Sequence, residues 1–195
     1  RASEFSGLGM SNLKSIPKLM HISLSSEVDE DDLRGLTEVK QINSLYMSEI
    51  YMSAASVELL NRMDHVKQCN LTLRQVDEQD LRWVSEVDLP IMLNLYSVPS
   101  ISSRGWKHLS EANLEGLNIS NVPMSDKDLV HVGEIKTLKR LTLSSNSLSI
   151  TDRGIEFLKD LPKLQYLYIR GSDVTEEALN RLKSEMKQLR TTYLR

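Results

Sequence analysis

The stretch LKRLTLSSNSLSITDRGIEFLKDLPKLQYLYIRGSDVTEEALNRL, residues 138–182, contains one unit twice. Each copy opens with apolar residues two apart, Leu141 and Leu143 and then Leu167 and Ile169, with another three positions earlier, Leu138 and Leu164. Alternation over so few residues is a short strand with one buried face. An apolar residue and a threonine follow, Ile150-Thr151 and Val174-Thr175. A threonine there accepts a hydrogen bond from a free backbone N–H of the next turn, which makes it a helix N-cap. Asp152, Glu176 and Glu177, just behind the caps, suit the positive end of a helix dipole. Ile155 and Leu158, and then Leu179 and Leu182, are three apart and share one helix face. The residue before each cap is placed to pack back on the first turn as a staple.

Working outward, the capped block recurs as VDEDDLRGL from Val28, MSAASVELL from Met52, VDEQDLRWV from Val76, ISSRGWKHL from Ile101 and MSDKDLVHV from Met124. Successive blocks start 24, 24, 25, 23, 26 and 24 residues apart. The strand signature recurs as Leu19, Ile22, Leu24; Ile42, Leu45, Met47; and Leu114, Leu117, Ile119, with less regular copies at Leu71, Leu73 and Leu93, Leu95. An eighth fragment, Leu189, Thr192, Leu194, follows the last block. A strand and a capped helix repeating every ~24 residues is the unit of a solenoid, which buries its core only by stacking. The pattern predicts helices beginning within two residues of Asp29, Ser53, Asp77, Ser102, Ser125, Thr151 and Thr175. It predicts parallel strands centred near residues 23, 46, 72, 94, 118, 142 and 168, and a last helix, the longest, running from Thr175 to about Gln188.

These units resemble the leucine-rich-repeat family. LTLSSNSLSITDRGIEFL and LYIRGSDVTEEALNRL are similar to the bacterial, planctomycete-type repeats with an [IV]-T-D-x-G-[LI] step, and to ribonuclease-inhibitor-like and F-box-associated repeats. The likeness covers about residues 13–194. It implies an α/β solenoid of about seven repeats, with a parallel sheet on the concave side and helices on the convex side. One departure stands out: the asparagine that many members place after the strand occurs only as Asn146, with Glu27, Ile50, Val76, Val98, Val122 and Ser172 at the equivalent positions. The turns after the strands must then satisfy their backbones by other means.

Composition narrows the class. The 195 residues are 40% hydrophobic and 26% charged, a balance that supports a packed core rather than disorder. With 24 basic and 27 acidic residues the net charge is −3, which argues against a nucleic-acid binder. No apolar run approaches the ~18 residues of a membrane span. A single cysteine makes no internal disulfide, so a reducing, cytoplasmic compartment is favoured. Residues 1–132 carry 12 basic and 19 acidic side chains, and residues 133–195 carry 12 basic and 8 acidic. Such a sign change orients a chain on a partner or reflects local pairing between helices. The small polar start, RASEFSG, reads with the rest of residues 1–12 as a polar N-terminal segment or scar, and residues 13–195 as the solenoid.

Strand residues pointing away from the core build the concave surface, the usual binding face of curved repeats. Three outward columns follow from the alternation. One runs Ser23, Tyr46, Thr72, Asn94, Asn118, Thr142, Tyr168; the column before it runs His21, Ser44, Asn70, Met92, Gly116, Arg140, Tyr166; the third runs Ser25, Ser48, Arg74, Tyr96, Ser120, Ser144, Arg170. Four of the six tyrosines fall here, and tyrosine and arginine are the residues that most often anchor interfaces. The expected binding residues are therefore Tyr46, Arg74, Asn94, Tyr96, Asn118, Arg140, Tyr166, Tyr168 and Arg170. The three arginines suit an acidic or phosphorylated protein or peptide partner and are too few for nucleic acid.

Chemistry has little foothold. HExxH, CxxC, GxxxxGK[ST], GxSxG and GxGxxG are missing from the sequence. His65 precedes Cys69, but a Cys–His pair works only with the imidazole in hydrogen-bond reach of the thiol. Trp83, His108, His131 and Phe157 share one position on the convex side and read as a stack between helices, and Trp106 reads as core. Asn70-Leu71-Thr72 and Asn118-Ile119-Ser120 match the glycosylation acceptor but lie mid-strand. The sequence thus points to a non-catalytic protein-interaction module without cofactor or metal. Two other readings remain open: a recognition fragment of a larger protein such as a ubiquitin-ligase receptor, and a bacterial cell-surface or carbohydrate binder.

Overall fold

The computed structural model describes residues 7–25, 28–48, 50, 52–74 and 76–194. Each of the seven expected helices begins one residue after its expected cap. They are α2 (Glu30–Leu36), α3 (Ala54–Asn61), α4 (Glu78–Ser85), α5 (Ser103–Glu111), α6 (Asp126–Val132), α7 (Asp152–Ile155) and α8 (Glu176–Glu185). Asp29, Ser53, Asp77, Ser102, Thr151 and Thr175 each accept a hydrogen bond from an N–H of the first turn. Ser125 works the other way, its own N–H and hydroxyl donating to Asp128 Oδ2 at 2.8 and 2.9 Å.

Between the helices lie β1 (His21–Leu24), β2 (Ser44–Ser48), β3 (Gln68–Arg74), β4 (Ile91–Tyr96), β5 (Leu114–Ser120), β7 (Arg140–Ser144), β9 (Tyr166–Arg170) and β10 (Thr191–Leu194). All eight join one sheet in chain order, every neighbouring pair parallel. Parallel return of each strand beside the last is what a coil of strand and helix enforces, so the chain is an α/β solenoid of strand–helix repeats. Met47, Leu71, Leu93, Leu117, Leu141 and Leu167 form one continuous buried row across it. Each such side chain contributes about 1.5–3 kcal/mol by leaving water. The helices close the other side of the core with Leu33, Leu60, Leu109, Leu129, Ile155 and Leu182.

The register corrects all three expected columns at one step, between β2 and β3, where Ser44 pairs with Gln68 rather than Asn70. Tyr46 pairs with Asn70, not Thr72, and Ser48 pairs with Thr72, not Arg74. The face each residue presents is unchanged, because the displacement is two residues and side chains alternate with period two. Its origin is turn length. Ser48 stands as far ahead of its cap Ser53 as Thr72 does of Asp77, whereas Asn94 stands further ahead of Ser102. The extra residues sit in the turn 97–101, which opens with Ser97 at φ 55°.

Two features lie outside the alternation. β6 (Met124–Ser125) and β8 (Leu148–Ser149) pair in a second, two-stranded parallel ladder just ahead of their helices. The acids behind the caps also reach forward one repeat. Asp126 accepts from the N–H and hydroxyl of Thr151 at 2.8 and 2.7 Å, and Asp152 does the same for Thr175 at 2.7 and 2.9 Å. Gly154 makes room for the first of these, since a Cβ there would meet Asp126 Oδ1 at 2.2 Å. The T-D-x-G step is thus a contact between repeats as well as a cap.

Both ends are covered among the described residues. α1 (Gly7–Ser11) and a 3-10 turn, Asn12–Ser15, precede β1. Met10 is buried in the core, and Gln41 Nε2 donates to the carbonyls of Leu13, Lys14 and Ile16 at 3.1, 3.3 and 3.0 Å. The covered core therefore starts within the segment that the sequence offers only as polar; residues 1–6 lie outside the described residues. At the other end α8 stops at Glu185 rather than near Gln188, and Met186 and Leu189 just beyond it are buried. The side chain of Leu194 lies outside the described residues.

Candidate concave interaction face

The register sets the columns of the sheet's outward face. Ser23, Tyr46, Asn70, Met92, Gly116, Arg140 and Tyr166 form one row. Ser48, Thr72, Asn94, Asn118, Thr142 and Tyr168 form the next, and Arg74, Tyr96, Ser120, Ser144 and Arg170 the third. All nine expected residues share this face. Tyr46 and Tyr166 are exposed, at 39% and 36%, and so are Arg140 and Arg170. Asn94, Tyr96, Asn118 and Tyr168 are half-buried. Arg74 stands opposite Tyr96 in the ladder, and its side chain lies outside the described residues. The register puts Tyr46 in the row of Tyr166, with Asn70, Met92, Gly116 and Arg140 between them.

The centre of the face is held by its own hydrogen bonds. Asn118 Nδ2 donates to Asn94 Oδ1 and to Tyr96 Oη, both at 3.3 Å, and Ser120 Oγ donates to Asn118 Oδ1 at 3.2 Å. Asn94 Nδ2 donates in turn to the Leu71 carbonyl at 3.3 Å. This ladder of two asparagines runs on the concave face and is distinct from the post-strand asparagine ladder that the sequence lacks. Neighbouring strands place Asn94 and Asn118 directly opposite, as the expected column has them. Toward the C-terminal end the Arg140 guanidinium carbon lies 5.2 Å from the centre of the Tyr166 ring, a cation–π contact. Gly116 lets Met92 lie down on the sheet: a Cβ there would meet the Met92 methyl at 2.2 Å.

The post-strand turns satisfy their backbones by continuing the ladder. Ser97 N–H donates to the Ser120 carbonyl at 3.0 Å, Asn121 N–H to Ser144 at 2.9 Å and Ser145 N–H to Arg170 at 3.3 Å. Ser97, Asn121 and Gly171 take left-handed backbone there, at φ 55°, 55° and 79°.

Other candidates carry less. Cys69 faces the core from β3, fully buried, and loss of solvent pushes its thiol up to about 12. Both ring nitrogens of His65 are buried without a hydrogen-bond partner, so the imidazole does not reach the thiol. At neutral pH the native protein is expected to resist alkylation at Cys69 and to react fully in denaturant. Mass spectrometry of both samples checks this, and rapid native labelling would refute the buried placement. His108 is half-buried beside a groove lined by Glu78, Arg82 and Arg104, and His131 Nδ1 lies 3.7 Å from Glu134 Oε2. Among the described residues no three His, Cys, Asp or Glu side chains come together in a way that could hold a metal ion. Trp83 is partly buried against the core, but Phe157 in the same column is 43% exposed, so the convex stack is incomplete. Trp106 is buried, and its indole N–H donates to Asp128 Oδ1 at 3.1 Å. Among the described residues no helix is long and apolar enough to cross a membrane.

No protein-family model and no curated protein matches the chain. Among solved structures it is similar to internalin C2 of Listeria monocytogenes str. 4b F2365, with 13% identity and a TM-score of 0.49 over 95% of this chain and 84% of that one. A leucine-rich-repeat protein of Leptospira interrogans matches at 13% identity and TM-score 0.44, over 93% of this chain and 50% of that one. A second Listeria monocytogenes internalin matches at 15% identity and TM-score 0.40, over 94% and 63%.

Proposed function

We propose that the chain is a non-catalytic interaction module that holds a protein or peptide partner against its concave sheet. The observation that carries this reading is the set of tyrosines on that face: Tyr46 and Tyr166 exposed, Tyr96 tied by Asn118, and Tyr168 half-buried on the strand of Tyr166. Large rings with few rotatable bonds anchor interfaces at low entropic cost. Seating them on a hydrogen-bonded sheet reduces that cost further, because the sheet does not reorganise when the partner arrives.

Substituting Tyr96→Ala or Tyr168→Ala is expected to weaken a partner captured by the immobilised chain by roughly 1–3 kcal/mol. The matched control is the pair Ser103→Ala and Glu111→Ala, both exposed on the convex α5. Titration calorimetry with the captured partner reads both. Loss of binding in the convex pair, with the tyrosine variants silent, would move the site to the helices.

A further inference from the structure

The three outward rows contain no aspartate or glutamate, although acidic residues outnumber basic ones by 27 to 24 in the whole chain. The formal charges in those rows are all arginines: Arg74, Arg140 and Arg170. Glu115, in β5 beside the rows, is neutralised by Lys139 at 2.5 Å. On the helical side most arginines are matched with carboxylates: Arg34 with Asp31, Arg62 with Glu58, Arg82 with Glu86, Arg104 with Glu78 and Arg181 with Glu156. Arg140 and Arg170 are exposed and have no carboxylate partner among the described residues. Among the described residues, negative charge is kept off the rows on which Arg140 and Arg170 stand without a carboxylate.

The geometry of that pair is specific. Arg140 stands opposite Tyr166, Thr142 opposite Tyr168, and Ser144 opposite Arg170. The two arginines are therefore four residues apart along the strand direction and one strand apart across it, a span of about 14 Å between Cα atoms. Tyr166 and Tyr168 lie between them. Stacking on Tyr166 holds the Arg140 guanidinium over the sheet, with its planar fork available for a two-pronged contact to a carboxylate. An extended peptide laid along the strands carries same-side residues i and i+4 at about 13 Å, close to the same span.

We propose that the C-terminal third of the concave face binds an acidic segment of the partner, an extended stretch with two carboxylates four residues apart, one on Arg140 and one on Arg170, its backbone lying over Tyr166 and Tyr168. This rests on the concave reading above and adds the chemistry of the occupant. The separation of the two charges along the strand matches a protein segment with distributed charge.

The test is selection from a random peptide library on the immobilised full chain, followed by fluorescence anisotropy with the most enriched peptide made synthetically. Enriched sequences are expected to carry Asp or Glu at i and i+4. The peptide should bind the Arg140→Gln/Arg170→Gln variant at least about tenfold more weakly, and lose affinity as salt rises. Arg140→Lys/Arg170→Lys, which keeps the charge, should recover part of the loss, and Ser103→Ala/Glu111→Ala should bind as the parent does. Circular dichroism confirms that each variant is folded. Enriched peptides without acidic bias that still need Tyr46 or Tyr166 would overturn this inference and leave the concave reading standing. Peptides indifferent to every concave substitution, or no enrichment at all, would overturn both. Tighter binding of a single-stranded oligonucleotide probe through the same arginines would overturn the choice of a protein segment.

Discussion

Trp106→Ala is expected to remove about 3–5 kcal/mol of stability, the range for truncating a large buried aromatic. Trp106 is 1% exposed and is the largest of the fully buried side chains. Its indole N–H also donates to Asp128, whose other oxygen takes the N–H and hydroxyl of Ser125 at the start of α6. The side chain therefore fills the core of one repeat and braces the helix cap of the next. Trp106→Phe separates the two roles: it keeps most of the volume and leaves Asp128 short of one donor, at a cost of about 1–3 kcal/mol. Urea unfolding followed by circular dichroism measures both. Because Trp106 lies mid-solenoid, the alanine variant should unfold in two steps as the flanking repeats lose their coupling. A single transition with an unchanged midpoint would mean that the repeats pack without this residue.

Gly171→Ala is expected to cost roughly 2–4 kcal/mol, the sum of a left-handed backbone and a collision with main chain. Gly171 sits at φ 79°, and a Cβ there would lie 2.2 Å from the Ser145 carbonyl oxygen. Ser97 and Asn121 hold equivalent turns at φ 55° with side chains in place, so the conformation alone does not demand glycine. What differs at Gly171 is the neighbouring turn. Ser145 is buried there and donates its N–H to Arg170, which brings its backbone against the glycine. Gly171→Asn isolates the collision, since asparagine tolerates left-handed backbone and still carries a Cβ. It should lose nearly as much as alanine, whereas Asn121→Gly should change little. Recovery of stability in Gly171→Asn would mean that the approach of Ser145 is not the constraint.

Within this chain the helices were legible before any coordinates because their signals are local. An N-cap and the N–H it accepts from are two or three residues apart, so Asp29, Ser53 and Thr175 could be read from the nine residues around each of them. The strands were legible for a similar reason: Leu141 and Leu143, or Leu167 and Ile169, declare by spacing alone which side faces the core. Membership of the concave face followed from the same alternation, and it survived the register shift at Tyr46 because a displacement of two residues preserves the face. Which outward residues stand beside one another was legible between β1 and β2 and from β3 onward, where the expected columns match the ladder, and failed only between β2 and β3, because ladder partners lie more than twenty residues apart along the chain. Turn length between strand and cap is free to vary, as the turn 97–101 shows, so helix spacing does not transmit strand register. The Asn94–Asn118–Tyr96 network, the bed that Gly116 makes for Met92, and the Asp126 and Asp152 bonds to the next repeat's cap all depend on that stacking. Local sequence determined the repeating unit and the faces it turns inward and outward, because hydrogen bonds and periodicity within a unit act over a few residues. Tertiary structure decided the contacts between units, because those depend on how far each turn carries the chain before the next strand pairs.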